Sequence, residues 1–95
     1  TYKKKFTLIV SKEWLHESDN VLIIDDFMAK GNAVQGLIDI VQEAKCGLEG
    51  IGIAIEKGFQ GGGDALRAKG LNYKALAVID EIKDDGTLVF RKEDL

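Results

Sequence analysis

Proline is missing altogether from this sequence, and cysteine, histidine, methionine and tryptophan occur once each. The single thiol, Cys46, excludes an internal disulfide and suits a reducing compartment, where it reads as a small core residue. His16 stands alone, so no Cys/His spacing can close a metal site, and it reads as a surface residue. No apolar run approaches the roughly 20 residues of a membrane span, and Thr1-Tyr2-Lys3-Lys4-Lys5 lacks the apolar centre of a signal peptide. An excess of positive charge is lacking too. Thirteen basic against 16 acidic residues leave a net charge of −3, which excludes a general attraction to nucleic acid or to anionic membranes. Lys3, Lys4 and Lys5 read as a solvated end. The 95 residues, 45% of them apolar, are enough for one domain with a modest core and too few for two. These exclusions leave a cytoplasmic protein whose partners are small molecules or protein. The lack of an initiating methionine, with a start that reads as mid-strand, predicts that the chain is part of something longer.

Against this background one stretch is dense with instruction. Val21-Leu22-Ile23-Ile24 is an unbroken apolar run that predicts a strand covered on both faces, as in a parallel sheet. Asp25 and Asp26 follow it directly, placing two carboxylates at the carboxyl end of a buried strand, where open α/β sheets bind ligands. Ala29-Lys30-Gly31-Asn32-Ala33 then feeds a helix N-terminus, whose exposed N–H groups and dipole favour an anion. Carboxylates beside an anion seat are reconciled by a ligand that carries both a phosphate and neighbouring hydroxyls, which is a sugar phosphate. The simpler reading of the acids is a solvated turn with a helix-capping carboxylate.

The remaining chain supplies the frame. Phe6, Leu8 and Val10 alternate with Lys5, Thr7 and Ile9 as in a strand, and Ser11 to Asn20 reads as a short turn of helix capped by Ser11. Leu37, Ile40, Val41 and Ala44 form an apolar stripe on a helix from Asn32 to Cys46, with Gly47 as its stop. Ile51 to Ile55 is the next buried strand, so strand, helix and strand make a right-handed βαβ unit. This brings Glu56-Lys57 to the same sheet edge as the acidic pair, and a lysine there can donate to a carbonyl oxygen of a planar base. Gly50 and Gly52 lie inside that strand and so fail as a dinucleotide fingerprint. Gln60-Gly61-Gly62-Gly63 reads as a hinge or connector, and Asp64 to Lys69 as a short helix ended by Gly70. Leu76 to Ile79 is a third buried strand. Asp84-Asp85-Gly86 turns the chain back into Leu88-Val89-Phe90, an antiparallel edge strand. Asp80, Glu81, Asp84 and Asp85 read as solvated acids around that turn rather than as a metal cluster.

The motif Val21 to Ala33, with Gly50-Ile51-Gly52-Ile53 and Ile55-Glu56-Lys57-Gly58-Phe59-Gln60, resembles the type I purine phosphoribosyltransferases, and among them the bacterial xanthine phosphoribosyltransferases. The resemblance runs from about Phe6 to Phe90. It implies an α/β fold: a partial Rossmann-like parallel sheet of the phosphoribosyltransferase core, with a C-terminal antiparallel edge hairpin. By resemblance, Ala29, Lys30, Gly31, Asn32 and Ala33 hold the 5-phosphate of phosphoribosyl pyrophosphate, Asp25 and Asp26 act at the ribose as the catalytic acids, and Lys57 binds the purine. The family transfers ribosyl phosphate to xanthine, giving xanthosine monophosphate and pyrophosphate with Mg²⁺ carried on the substrate, and works as homodimers in purine salvage. Three departures stand out. Lys30 and Asn32 replace an asparagine and a glutamine, Ala29 stands where hypoxanthine–guanine relatives carry an acid, and the family's amino-terminal half, with its pyrophosphate contacts, has no counterpart here. The expectation is thus a carboxyl-terminal part of the domain, inactive alone. An alternative is a purine-repressor-like domain that senses phosphoribosyl pyrophosphate without catalysis, against which Lys57 speaks. A flavodoxin-like signalling domain would need a further acid at an early strand end, which the first strand lacks.

Overall fold

The computed structural model describes residues 14–92. The strand expected at Lys5 to Val10 and the Ser11 cap lie outside the described residues, and residues 14–19 form turns closed by the Asp19 N–H on the His16 carbonyl. Four strands and two helices follow: β1 (Asn20–Met28), α1 (Asn32–Glu43), β2 (Gly47–Lys57), a 3₁₀ turn (Gly58–Gln60), α2 (Gly62–Ala68), β3 (Tyr73–Ile82) and β4 (Leu88–Phe90). They make one sheet in the order β1-β2-β3-β4. The pairs β1/β2 and β2/β3 are parallel, and β4 returns antiparallel on β3. This is the expected α/β sheet with its edge hairpin, whose turn is closed by Gly86 at φ 89° and by the Asp85 carboxylate on the Thr87 N–H.

Both crossovers advance across the sheet in the same direction. The right-handed rule therefore places α1 and α2 on one face, and Val34, Ile38 and Val41 of α1 share a core with Leu66 of α2 and with Ile23, Ile51, Ile53, Tyr73, Ala75 and Val78 of the strands. Each valine, leucine or isoleucine among them contributes roughly 1.5–3 kcal/mol on burial. The other face is open among the described residues: Leu22, Ile24 and Leu76 are 58%, 68% and 81% exposed. This corrects the expectation of strands covered on both sides. The apolar run was read correctly as strand, but cover on the second face needs a layer that these residues do not supply.

Helix α1 is also rotated from the expected stripe. Its buried residues are Val34, Ile38 and Val41, at i, i+4 and i+7, while Leu37, Ile40 and Ala44 are half-buried flanks. Nor does Gly47 stop it. The helix ends at Glu43, Lys45 takes the left-handed turn at φ 60°, and Gly47 opens β2. A β-carbon on Gly47 would come to 2.5 Å from Asn20 Oδ1, the tip of an exposed side chain.

Near the carboxyl ends of the parallel strands the burial changes phase by one residue. Ile23, Ile53 and Ala75 are buried, and further along Met28, Glu56 and Val78, although the pairing of Met28 with Glu56 and of Glu56 with Val78 is regular. Because the paired rows shift together, strand register survives while a glutamate enters the interior.

Candidate functional site

Strand β1 does not end before the acids. It pairs with β2 through Met28, with Asp25 opposite Ile53, so Asp25 and Asp26 lie within the last turns of the pleat and the loop starts at Ala29. This corrects the expectation that they follow the strand. Asp25 is half-buried and Asp26 exposed. Their carboxylates are oriented by the backbone: Asp25 Oδ1 accepts the Asp26 N–H at 2.8 Å and Asp26 Oδ1 accepts the Phe27 N–H at 2.8 Å. Each acid keeps a second oxygen for other donors.

The loop turns on Gly31 at φ 96°, in the left-handed region that glycine adopts without strain. Gly31 is the residue before α1, which has no side-chain cap and no acid in its first turn. Its carbonyl accepts the Gln35 N–H at 2.8 Å. The N–H groups of Asn32, Ala33 and Val34 precede the first i→i−4 bond and point out of the helix start, with the dipole behind them. A cap would satisfy them; an anion does so equally well. The expected binding segment Ala29, Lys30, Gly31, Asn32 and Ala33 is thus one continuous loop-to-helix junction.

Lys57 is the last residue of β2 and half-buried. Parallel pairing puts it just beyond the row of Met28 and Glu56, on the same sheet edge as the loop. It stands four residues past Ile53, the partner of Asp25, or roughly 13 Å along the strand at about 3.3 Å per residue, a span suited to a nucleotide-sized ligand. Gly58 then passes against β3: a β-carbon there would meet Val78 Cγ1 at 2.8 Å and Asp80 Oδ1 at 2.9 Å.

Sequence reasoning missed the group beneath this edge. Glu56 is wholly buried. Its carboxylate accepts Arg67 Nη2–H at 2.7 Å and Nη1–H at 2.9 Å in a two-pronged ion pair, and the Tyr73 hydroxyl at 2.9 Å. The Arg67 guanidinium also lies over the Tyr73 ring, 4.8 Å from its centre. From Arg67 the chain of charges continues to Asp64 at 3.0 Å, from Asp64 to Arg91 at 2.9 Å and from Arg91 to Asp80 at 2.7 Å. No periodicity links Glu56 with residues 11 and 17 positions on. The only sequence signal was an acid at the end of an apolar strand.

Asp64 responds to this chain of charges. Hydrogen bonds from Arg91, and then from Arg67, hold the Asp64 carboxyl below the usual carboxylate range. A folded-state value below the unfolded one means that the stabilisation is complete above the ordinary carboxylate pKa of about 4 and is lost as pH falls through the folded value. Thermal melts taken through the acid range should therefore fall less steeply for Asp64→Asn than for the parent chain. Equal slopes would show that the pairing does not persist in solution. Asp85, held low mainly by hydrogen bonds from Thr87, adds to the slope in the same direction. Cys46 is a half-buried flank of the core, as expected, with its thiol donating to the His16 carbonyl and its pKa raised by desolvation. His16 is exposed.

Asp80 belongs to the Arg91 pair, so of the acids around the hairpin only Glu81, Asp84 and Asp85 remain solvated as expected. Among the described residues no group of three or more His, Cys, Asp or Glu side chains is arranged to hold a metal ion, and no helix is long and apolar enough to cross a membrane.

The chain is similar over nearly its whole length to proteins named xanthine phosphoribosyltransferase. It is 52% identical over 92 residues to that of Bifidobacterium adolescentis, covering 96% of this chain and 48% of the relative. It is 53% identical over 92 residues to that of Lachnoclostridium phytofermentans, covering 96% and 47%, and 47% identical over 95 residues to that of Oceanobacillus iheyensis, covering 98% and 48%. The chain thus spans about half the length of the curated relatives it matches, and the half it matches is the carboxyl-terminal one. No protein-family model matches it.

Proposed function

From this similarity to the carboxyl-terminal half of xanthine phosphoribosyltransferases, we propose that the chain is the phosphoribosyl- and purine-binding part of such an enzyme, acting in purine salvage. One observation carries the reading: a single sheet edge brings together the acidic pair of β1, an uncapped helix start behind Gly31, and Lys57. The N–H groups of Asn32 and Ala33 with the Lys30 ammonium seat the 5-phosphate, Asp25 and Asp26 accept the ribose hydroxyls, and Lys57 donates to a carbonyl oxygen of the base. In the reaction the C1–oxygen bond to pyrophosphate breaks, a purine nitrogen bonds to C1, and the nitrogen's proton leaves to solvent. The carboxylates of Asp25 and Asp26 stabilise the positive charge that develops on the ribosyl ring. Ala29 offers no acid or base, so this junction binds and polarises without moving a proton. Mg²⁺ would enter as a companion of the substrate, and when bound it would help to neutralise the diphosphate leaving group.

The chain on its own is expected to bind and not to turn over, as the pyrophosphate contacts fall in the half of the relatives that it does not span. Assembly as a homodimer and a cytoplasmic location complete the proposal. The regulatory alternative, a sensor of phosphoribosyl pyrophosphate, finds no support in the relatives, which carry the enzyme's name. Calorimetry with phosphoribosyl pyrophosphate and, separately, with xanthine tests the reading. Two sites are expected, and Lys57→Ala should weaken xanthine at least tenfold while leaving phosphoribosyl pyrophosphate within about twofold, the loss of one charged hydrogen bond. Equal losses for the two ligands would remove Lys57 from the base.

A further inference from the structure

Of the run Gln60-Gly61-Gly62-Gly63, expected to be a hinge or connector, Gly62 and Gly63 are packed into the interior while Gly61 stays exposed. Gly61 makes the left-handed turn at φ 87°, and Gly62 and Gly63 are buried in the first turn of α2. Gly62 lies directly against the anion loop. Its N–H donates to the Ala29 carbonyl at 2.9 Å, and a β-carbon on it would reach Ala29 O, Lys30 C and Gly31 N at 2.5, 2.6 and 2.7 Å. All three are backbone atoms, so no side-chain rotation can make room. On its next residue α2 meets Glu56: a β-carbon on Gly63 would collide with the Glu56 carboxylate. Arg67, one helical turn on, grips that carboxylate with two N–H groups. Glu56 is covalently next to Lys57.

We propose that α2 is a positioning element, with Glu56 and Gly62 as positioning residues that tie the segment bearing Lys57 to the backbone of the loop Ala29 to Gly31. The proposal rests on the assignment of that loop as the phosphate seat. One buried carboxylate sets the height of α2 over the sheet, the glycine pair lets α2 approach to backbone contact, and the bond from the Gly62 N–H to the Ala29 carbonyl fixes the backbone from which the following N–H groups project. The base-reading lysine and the phosphate seat then share one rigid support, so a disturbance at Glu56 should be felt some distance away in phosphate binding. A pocket lysine alone would have no such reach. Short, fixed linkages of this kind are how a binding site keeps sub-ångström placement.

The test uses the full 95-residue chain, isotope-labelled, with ribose 5-phosphate as the probe. In Gly62→Ala, the amide resonances of Lys30, Gly31, Asn32 and Ala33 should move and ribose 5-phosphate should bind at least tenfold more weakly, while the amides of Ile23, Ile51 and Ala75 keep their protection from exchange. Glu56→Gln, which keeps the shape and loses the charge gripped by Arg67, should move the same loop amides by a smaller amount. Loop resonances and affinity that stay unchanged in either folded variant would overturn the proposal. So would loss of protection throughout the sheet in both variants, which would make α2 a general structural support. If the parent chain fails to bind ribose 5-phosphate, the functional assignment fails, and the movement of the loop amides still decides the coupling by itself.

Discussion

Gly63→Ala is expected to destabilise the fold by about 3 kcal/mol or more, read as a lowered denaturant midpoint at unchanged slope. The new methyl group lands on the Glu56 carboxylate, which is buried and already engaged by Arg67 and Tyr73. Overpacking a tight interior costs about 1–3 kcal/mol, and parting a buried ion pair about 3–5. The backbone itself asks for no glycine here, because Gly63 has ordinary helical geometry and alanine is the better helix former by about 1 kcal/mol. The cost is therefore entirely the collision. In a Glu56→Ala background the same substitution should become neutral or mildly stabilising, a coupling that a double-mutant cycle reads directly. Gly61→Ala gives the opposite control: a β-carbon there meets nothing, and only the positive φ is charged, at about 1–2 kcal/mol. Equal costs at Gly61 and Gly63 would show that the packing around Glu56 is not what makes the position critical.

The second large effect belongs to the acids. Asp25→Asn combined with Asp26→Asn should weaken phosphoribosyl pyrophosphate by about a hundredfold or more, since hydrogen bonds to charged groups are worth roughly 1.5–3 kcal/mol each. The fold should persist. Each asparagine keeps a side-chain oxygen that can accept the following N–H, as Asp25 and Asp26 do now, and neither side chain is part of the core. Calorimetry with phosphoribosyl pyrophosphate, beside circular dichroism of the same samples, checks both halves. Retained affinity would return the pair to a solvated strand end, and loss of structure would make it a backbone support.

Much of this was visible along the chain. The βαβ unit, the third strand and the final hairpin followed from apolar runs, a 3.6-residue periodicity and the Asp84-Asp85-Gly86 turn, all of them local signals. The uncapped junction at Gly31 was equally local, because a glycine entering a helix brings no capping side chain to the first N–H groups. That Lys57 reaches the same edge needed only one non-local rule, that parallel strands end on one side.

Errors arose where a residue's role depends on a partner distant in sequence. Gly47 reads as a helix stop, yet it opens β2 beside Asn20 of β1, the strand that pairs with it. The helix stripe was misphased because Leu37, Ile40 and Ala44 are as apolar as the residues that face the sheet, and only the sheet's position chooses among them. Leu22, Ile24 and Leu76 looked interior, since a hydrophobic run states that cover is wanted and not that it is present. The glycine run looked loose because glycine permits both a hinge and a close approach, and the loop backbone lying against Gly62 decides between them. By itself, then, the sequence determined β1 to β4, the two helices apart from the end of α1, the uncapped loop-to-helix junction at Gly31 and the edge that carries Lys57, whose causes lie within a few residues or in the handedness of the chain. The tertiary structure alone decided that Glu56 is buried, that Arg67 and Tyr73 hold it, and that α2 presses two glycines against the site, because those contacts join positions that no period or motif connects.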